Sequence, residues 1–168
     1  MSGKNTDFSK HGREDRLIKE EVHDPYMARC KPSEPTVCSE CGVAFTGGRW
    51  QWVEESLAEP HMMLCPACQR IHDRVPAGYL TLGGSFFTAQ KDEIMNLIQN
   101  HVEQQKKQHP MKRLINIEDQ ADDSMLLTFT DLHLVSSVGK AIESAYQGDF
   151  DVQYTDEASI VRGKWHRS

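Results

Sequence analysis

The 168-residue sequence has no long apolar run, no excess of positive charge and no familiar catalytic motif. No stretch approaches the ~18 to 20 apolar residues that a membrane-spanning helix needs, and the first residues lack the apolar core of a secretory signal. We therefore expect a cytoplasmic protein that binds no membrane. The 19 Lys and Arg residues against 25 Asp and Glu give a net charge of -6, which excludes a protein that coats nucleic acid through bulk positive charge.

The sequence also lacks the residue patterns of the common enzyme classes. It has no nucleophile elbow, no phosphate-binding loop, no zinc-peptidase motif and no dinucleotide fingerprint. We find no small-molecule substrate to assign and expect a protein that is not an enzyme. One alternative stays open, because a reactive pair formed by Cys30 and a distant histidine cannot be judged from sequence.

The five cysteines are the strongest chemical signal that the sequence contains. Cytoplasmic cysteines are not expected to form a disulfide framework. Four of them form two C-x-x-C pairs, and four thiolates close a tetrahedral zinc site without leaving a position for water. Thiol exchange by the pairs is the alternative. We predict one structural Zn²⁺ whose ligands are Cys38, Cys41, Cys65 and Cys68.

Charge and apolar periodicity divide the chain into three parts. Residues 1–36 are too polar to bury a core, so we expect a flexible N-terminal arm. Residues 37–78 contain both cysteine pairs and are expected to form a small zinc-ribbon or treble-clef-like module. Residues 79–168 alternate between strand and helix patterns.

The third part predicts an α+β fold in the order strand, helix, strand, strand, helix, strand, strand. The first six elements match a ferredoxin-like (split βαβ) domain, with two helices on one face of an antiparallel sheet, and the extra C-terminal strand would extend that sheet by a hairpin. Helical spacing predicts a helix over 90–107 that ends before His109-Pro110, and alternation predicts a strand over 125–129. Thr130 or Asp131 is expected to cap the following helix.

Two groups of residues are candidates for binding nucleic acid. Arg49, Trp50 and Trp52 follow the first cysteine pair, and Arg with Trp can stack on bases and bind phosphate. The tryptophans could instead cover the zinc core. The arm carries a second group of cations that could order along rRNA, or simply keep a charge-balanced tail soluble. The members of that second group are Lys10, Arg13, Arg16 and Lys19.

Three stretches around the cysteines resemble a known group of proteins. They are Cys38-Ser-Glu-Cys41-Gly42, Gly48-Arg49-Trp50 and Leu64-Cys65-Pro66-Ala67-Cys68. They are similar to small bacterial zinc-ribbon proteins, which in turn resemble the N-terminal region of the archaeal and eukaryotic large-subunit export adaptor, the Nmd-three family. Similarity to the bacterial group extends roughly over residues 24–166, whereas similarity to the adaptor covers mainly the cysteine region.

The resemblance implies binding to the large ribosomal subunit, because the adaptor sits on the face that joins the two subunits. We therefore expect a zinc-binding, non-enzymatic factor that binds the large subunit and its rRNA. Such a factor would keep ribosomes or subunits idle under stress, as in hibernation, or assist their maturation. The alternative is a zinc-scaffolded protein-interaction or regulatory module that binds no RNA, which the acidic C-terminal region favours.

Overall fold

A computed structural model describes residues 31–155 and 160–168 and has mixed α+β architecture, with two sheets and four helices in those ranges. The expected α+β class is therefore confirmed. Most of the predicted arm, from residue 1 through Cys30, lies outside the described residues.

The first sheet is small and contains both cysteine pairs with the helix that follows it. We call residues 36–73 the cysteine module. Its elements are β1 (Thr36–Cys38), β2 (Ala44–Thr46), β3 (Arg49–Gln51), β4 (His61–Met63) and α1 (Pro66–Asp73). The strand order is β3-β2-β1-β4, with β1 antiparallel to β2 and parallel to β4. Gly47 and Gly48 make the turn between β2 and β3, where φ values of 60° and 80° suit glycine.

The second sheet has five strands, and we call residues 78–166 the large-sheet unit. Its elements are β5 (Gly78–Gly83), α2 (Ser85–Ala89), α3 (Lys91–Gln108), β6 (Leu114–Asp119), β7 (Met125–Phe129), α4 (Leu132–Tyr146), β8 (Asp149–Thr155) and β9 (Ile160–His166). The strand order is β6-β7-β5-β9-β8. The sequence of strands and helices follows the predicted order, apart from the additional short helix α2.

The sequence predicts that the last strand extends the edge of the large sheet, and this prediction is wrong. Strand β9 lies between β5 and β8 and runs parallel to β5, so the sheet is mixed rather than antiparallel. In this position Val161, Gly163 and Trp165 of β9 are buried, whereas β8 at the edge is largely exposed. Gly163 suits the interior position, because a Cβ atom there would come within 2.7 Å of the Val135 side chain of α4.

The large-sheet unit has its own hydrophobic core. Buried side chains of α3 and α4, among them Ile94, Ile98 and Ile142, pack with the inward residues of the central strands, such as Leu80 and Leu127. The cysteine module contributes a second, smaller cluster built around its cysteines. Within the described ranges, no helix is both long and apolar enough to cross a membrane.

Candidate metal centre

The four cysteines of the two pairs meet at one end of the cysteine module. Cys38 ends β1, and Cys41 follows in the turn where Gly42 has a φ of 80°. Cys65 caps α1, where its sulfur accepts a hydrogen bond from the Cys68 backbone at 3.4 Å. Pro66 occupies the first turn of that helix, as the sequence suggests. A strand end, a turn and a helix N-terminus thus bring all four sulfurs to one point.

The spacing of the sulfurs fits a tetrahedral metal ion. All four Sγ atoms lie within 4.8 Å of one another, and those of Cys41 and Cys65 are 3.8 Å apart. A tetrahedron with metal–sulfur bonds of about 2.3 Å has edges of about 3.8 Å. A disulfide needs a sulfur separation of about 2.05 Å, and all four cysteines are free. The group can therefore hold a metal ion such as Zn²⁺.

The surroundings of the cysteines shift their thiol pKa values, favouring the thiolate form at Cys38 and the thiol form at Cys65 and Cys68. Burial raises the pKa of the Cys65 and Cys68 thiols, and the neighbouring sulfurs repel a further negative charge there. Burial also acts at Cys38, but backbone N–H groups, including that of Cys65 at 3.3 Å, outweigh it and lower the pKa of this thiol. A bound divalent cation would favour the thiolate form of Cys65 and Cys68, because its positive charge offsets the repulsion among the buried sulfurs.

Arg113 supplies a positive charge at the same place from the large-sheet unit. Its guanidinium is buried and donates to the Sγ atoms of Cys41, at 3.1 Å, and Cys68, at 3.6 Å. The Nε atom donates to the carbonyl of Pro110 at 2.7 Å, which fixes the side chain. Sequence patterns place Arg113 only at the start of a strand, and no local signal links it to cysteines so distant in the chain.

The structure separates the three candidate nucleic-acid residues of the module. The Cζ atom of Arg113 lies over the Trp52 ring, 5.5 Å from the ring centre. The Trp52 indole N–H donates to the Lys106 carbonyl at 2.9 Å. Trp50 is half-buried and packs against the cysteine cluster. Arg49 is exposed on β3, an edge strand of the small sheet. Trp52 is itself 37% exposed, but its contacts link the cysteine module to the large-sheet unit, whereas Arg49 and Trp50 lie together on β3.

The second candidate group, Lys10, Arg13, Arg16 and Lys19, lies outside the described residues, as does Cys30. Within residues 31–155 and 160–168, the four cysteines form the one set of three or more Cys, His, Asp or Glu side chains close enough to share a metal ion. His61, four residues before Cys65, is exposed on β4 and is not part of that set. No protein-family model, no curated protein and no solved structure matches this chain.

Proposed function

We propose that this protein is a zinc-binding, non-enzymatic factor that binds the large ribosomal subunit through rRNA. It would keep ribosomes or subunits idle under stress, or assist their maturation. The observation that carries the proposal is that Arg49 and Trp50, consecutive residues of β3, line the same groove, and that Trp50 also packs against the cysteine cluster. A cation and an aromatic ring on a rigid scaffold are the groups that bind phosphate and stack on bases.

In this proposal the metal is Zn²⁺, one ion per chain, and its role is structural. Four soft sulfur donors in a tetrahedral arrangement suit zinc, and they leave no position for a reacting water. The cysteine module is then a zinc-ribbon-like scaffold, and the large-sheet unit is a ferredoxin-like sheet enlarged by β9. The N-terminal arm adds the cations Lys10, Arg13, Arg16 and Lys19 to the RNA contact.

Co-sedimentation of the full-length protein with purified large subunits tests the proposal. Binding through four or five phosphates should weaken by roughly two to three orders of magnitude between about 20 mM and about 100 mM salt, if the duplex slope holds for rRNA. Deleting residues 1–30 should flatten that dependence, and Arg49→Ala should weaken binding while the metal content stays unchanged. A full-length protein that does not co-sediment even at the lowest salt would refute ribosome binding.

A second function, a zinc-scaffolded module for a protein partner, has one observation in its favour. Met62 and Met63 on the edge strand β4 are 60% and 40% exposed, and Val75 nearby in sequence is 42% exposed. Exposed apolar side chains on a strand edge are a common way to bind another protein. Partner capture that survives ribonuclease but is lost in Met62→Glu would favour this function over RNA binding.

A further inference from the structure

An open groove of about 760 Å³ lies beside the metal centre. The small sheet lines it through Gly48, Arg49 and Trp50, and residues 108–112, at the end of α3 and in the loop before β6, line it as well. Sites for ligands of nucleotide size typically measure about 300–1,000 Å³, so the groove has room for one nucleotide. Lys31, the first described residue and part of the predicted arm, also lines it.

The charged side chains that line the groove are mostly positive, although the protein as a whole is negative. Three cations line it, Lys31, Arg49 and Lys112, against the single lining carboxylate of Asp131. That carboxylate already caps α4, where it accepts the backbone N–H groups of His133 and Leu134 at 2.8 and 3.2 Å. On a chain of net charge -6, this local excess of positive charge favours an anionic ligand here.

An aromatic ring and apolar side chains lie among these cations. Trp50 is half-buried, and an edge contact with Phe45, with ring centres 5.4 Å apart, holds its indole in place. Pro110 and Met111 also line the groove. Because the ring is already fixed by packing, stacking a flat group on it would cost little further side-chain entropy.

We propose that this groove binds an unpaired nucleotide of single-stranded RNA, with its base on Trp50 and its flanking phosphates on Arg49 and Lys112. The inference rests on the RNA-binding function proposed above and assigns it a site. An acidic peptide would satisfy the cations but would not need the aromatic and apolar lining, whereas a nucleotide uses both. Lys31, itself in the predicted arm, then connects this contact to the arm cations that precede it in the chain.

The test uses the full-length protein and a fluorescein-labelled, unstructured RNA of about ten nucleotides, a length within the usual site size for single strands. Arg49→Ala and Lys112→Ala should each weaken binding about tenfold and reduce the slope of log affinity against log salt by about 0.7. Lys140→Ala is the matched control, because Lys140 is exposed on α4 and does not line the groove. It should change affinity less than about twofold, since it removes the same charge at a distance.

The stacking contact has its own readout. RNA should quench tryptophan fluorescence in the wild type, and Trp50→Phe, which preserves an aromatic ring against Phe45, should lose most of that quenching. If the groove variants and Lys140→Ala lower affinity equally, the groove is not the site. Co-sedimentation with large subunits would then show whether ribosome binding persists through another surface or fails as well. Equal binding of oligoglutamate through Arg49 and Lys112 would also overturn the assignment, in favour of an acidic peptide.

Discussion

The Nη2 atom of Arg113 lies 3.1 Å from the Sγ atom of Cys41, although 72 residues separate them in the chain. The contact places a charge from the large-sheet unit against the metal centre of the cysteine module. Four thiolates around a bound Zn²⁺ would carry a net charge of about -2, and a buried guanidinium beside them would offset part of that charge. The same guanidinium lies over the ring of Trp52, whose indole N–H donates a hydrogen bond to the Lys106 carbonyl of α3. Arg113 therefore holds the two parts of the protein together.

We expect Arg113→Ala to loosen the cysteine module from the large-sheet unit. Losing hydrogen bonds from a buried charged group costs about 1.5–3 kcal/mol, and Trp52 would lose its cation as well. Denaturation should then show a separate early transition, with a red shift of Trp52 fluorescence. Arg113→Lys is the control, because it keeps the charge but lacks the planar fork whose three nitrogens donate to Pro110, Cys68 and Cys41, and it should give an intermediate loss. A single unshifted transition for Arg113→Ala would contradict the linking role.

The metal content should be one equivalent of zinc per chain, measured by elemental analysis of the purified protein. Cys65→Ala should abolish binding, because Cys65 is both a ligand and the cap of α1. Cys30→Ser should leave the value unchanged, since Cys38, Cys41, Cys65 and Cys68 complete the tetrahedron without Cys30. A value near two, or loss of metal from Cys30→Ser, would require a different ligand set.

Chelation should unfold the cysteine module and spare the large-sheet unit. A structural zinc contributes roughly 10–16 kcal/mol of apparent binding free energy to a small module, whose own apolar cluster is far smaller than the core under α3 and α4. Hydrogen exchange in chelator should show β1 and β2 losing amide protection while β5 and β7 keep theirs. Loss of protection in all four strands at once would indicate one cooperative unit.

The stability of the large-sheet unit should depend on pH through His101. Burial, and next the positive charge of Lys112, lower the pKa of this imidazole, which hydrogen-bonds the Ser137 hydroxyl at 2.6 Å. In the unfolded chain His101 is protonated as the pH falls below its ordinary pKa of about 6.5, whereas in the folded chain it stays neutral to a lower pH. Acid therefore lowers the free energy of unfolding until the pH reaches the folded-state pKa. Relative to His101→Gln, the wild type should lose free energy of unfolding as the pH falls from about 7 to below about 6.5. A constant difference over that range would contradict the expected titration.

Gly139 should be intolerant of even a methyl group. A Cβ atom there would overlap the ring of Phe150, where α4 crosses β8. Overpacking typically costs about 1–3 kcal/mol, more than the helix propensity that alanine gains, and urea denaturation of Gly139→Ala should show the loss. Gly83→Ala is the matched control, because its Cβ would meet only ordinary contacts at 3.6 and 3.8 Å. Adding Phe150→Val to Gly139→Ala should recover part of the stability if the ring is the obstacle.

Elements with a strong local pattern are those that the sequence predicts well. Alternation gives the strand Met125–Phe129 with the bounds that the structure has. The helix predicted over 90–107 is Lys91–Gln108, and it ends where His109-Pro110 predicts. Asp131, one of the two predicted caps, accepts the first backbone N–H groups of α4. Each of these features depends on residues that are close to it in the sequence.

The features that sequence patterns miss depend on distant partners. Strands β1 and β4 have three residues each, too few to show a period, and they exist because they pair with each other. The segment Ser85–Ala89 forms α2, although Gly83-Gly84 suggests only a break there. The hydrogen bonds from Arg113 to the cysteines connect the cysteine module with the large-sheet unit, which charge and apolar periodicity assign to different parts of the chain. Spacing alone therefore identifies the four cysteines but not the residue that holds their module in place.

The interior position of β9 has a consequence for how the protein is made. Gly78 at the start of β5 pairs with Val161, so one side of a central strand stays open until the last strand of this sequence has been synthesised. While the chain is growing, β5 can pair with β7 but exposes its other edge to other nascent chains. The large sheet therefore closes late, and premature termination before β9 would leave an aggregation-prone product rather than a smaller stable domain.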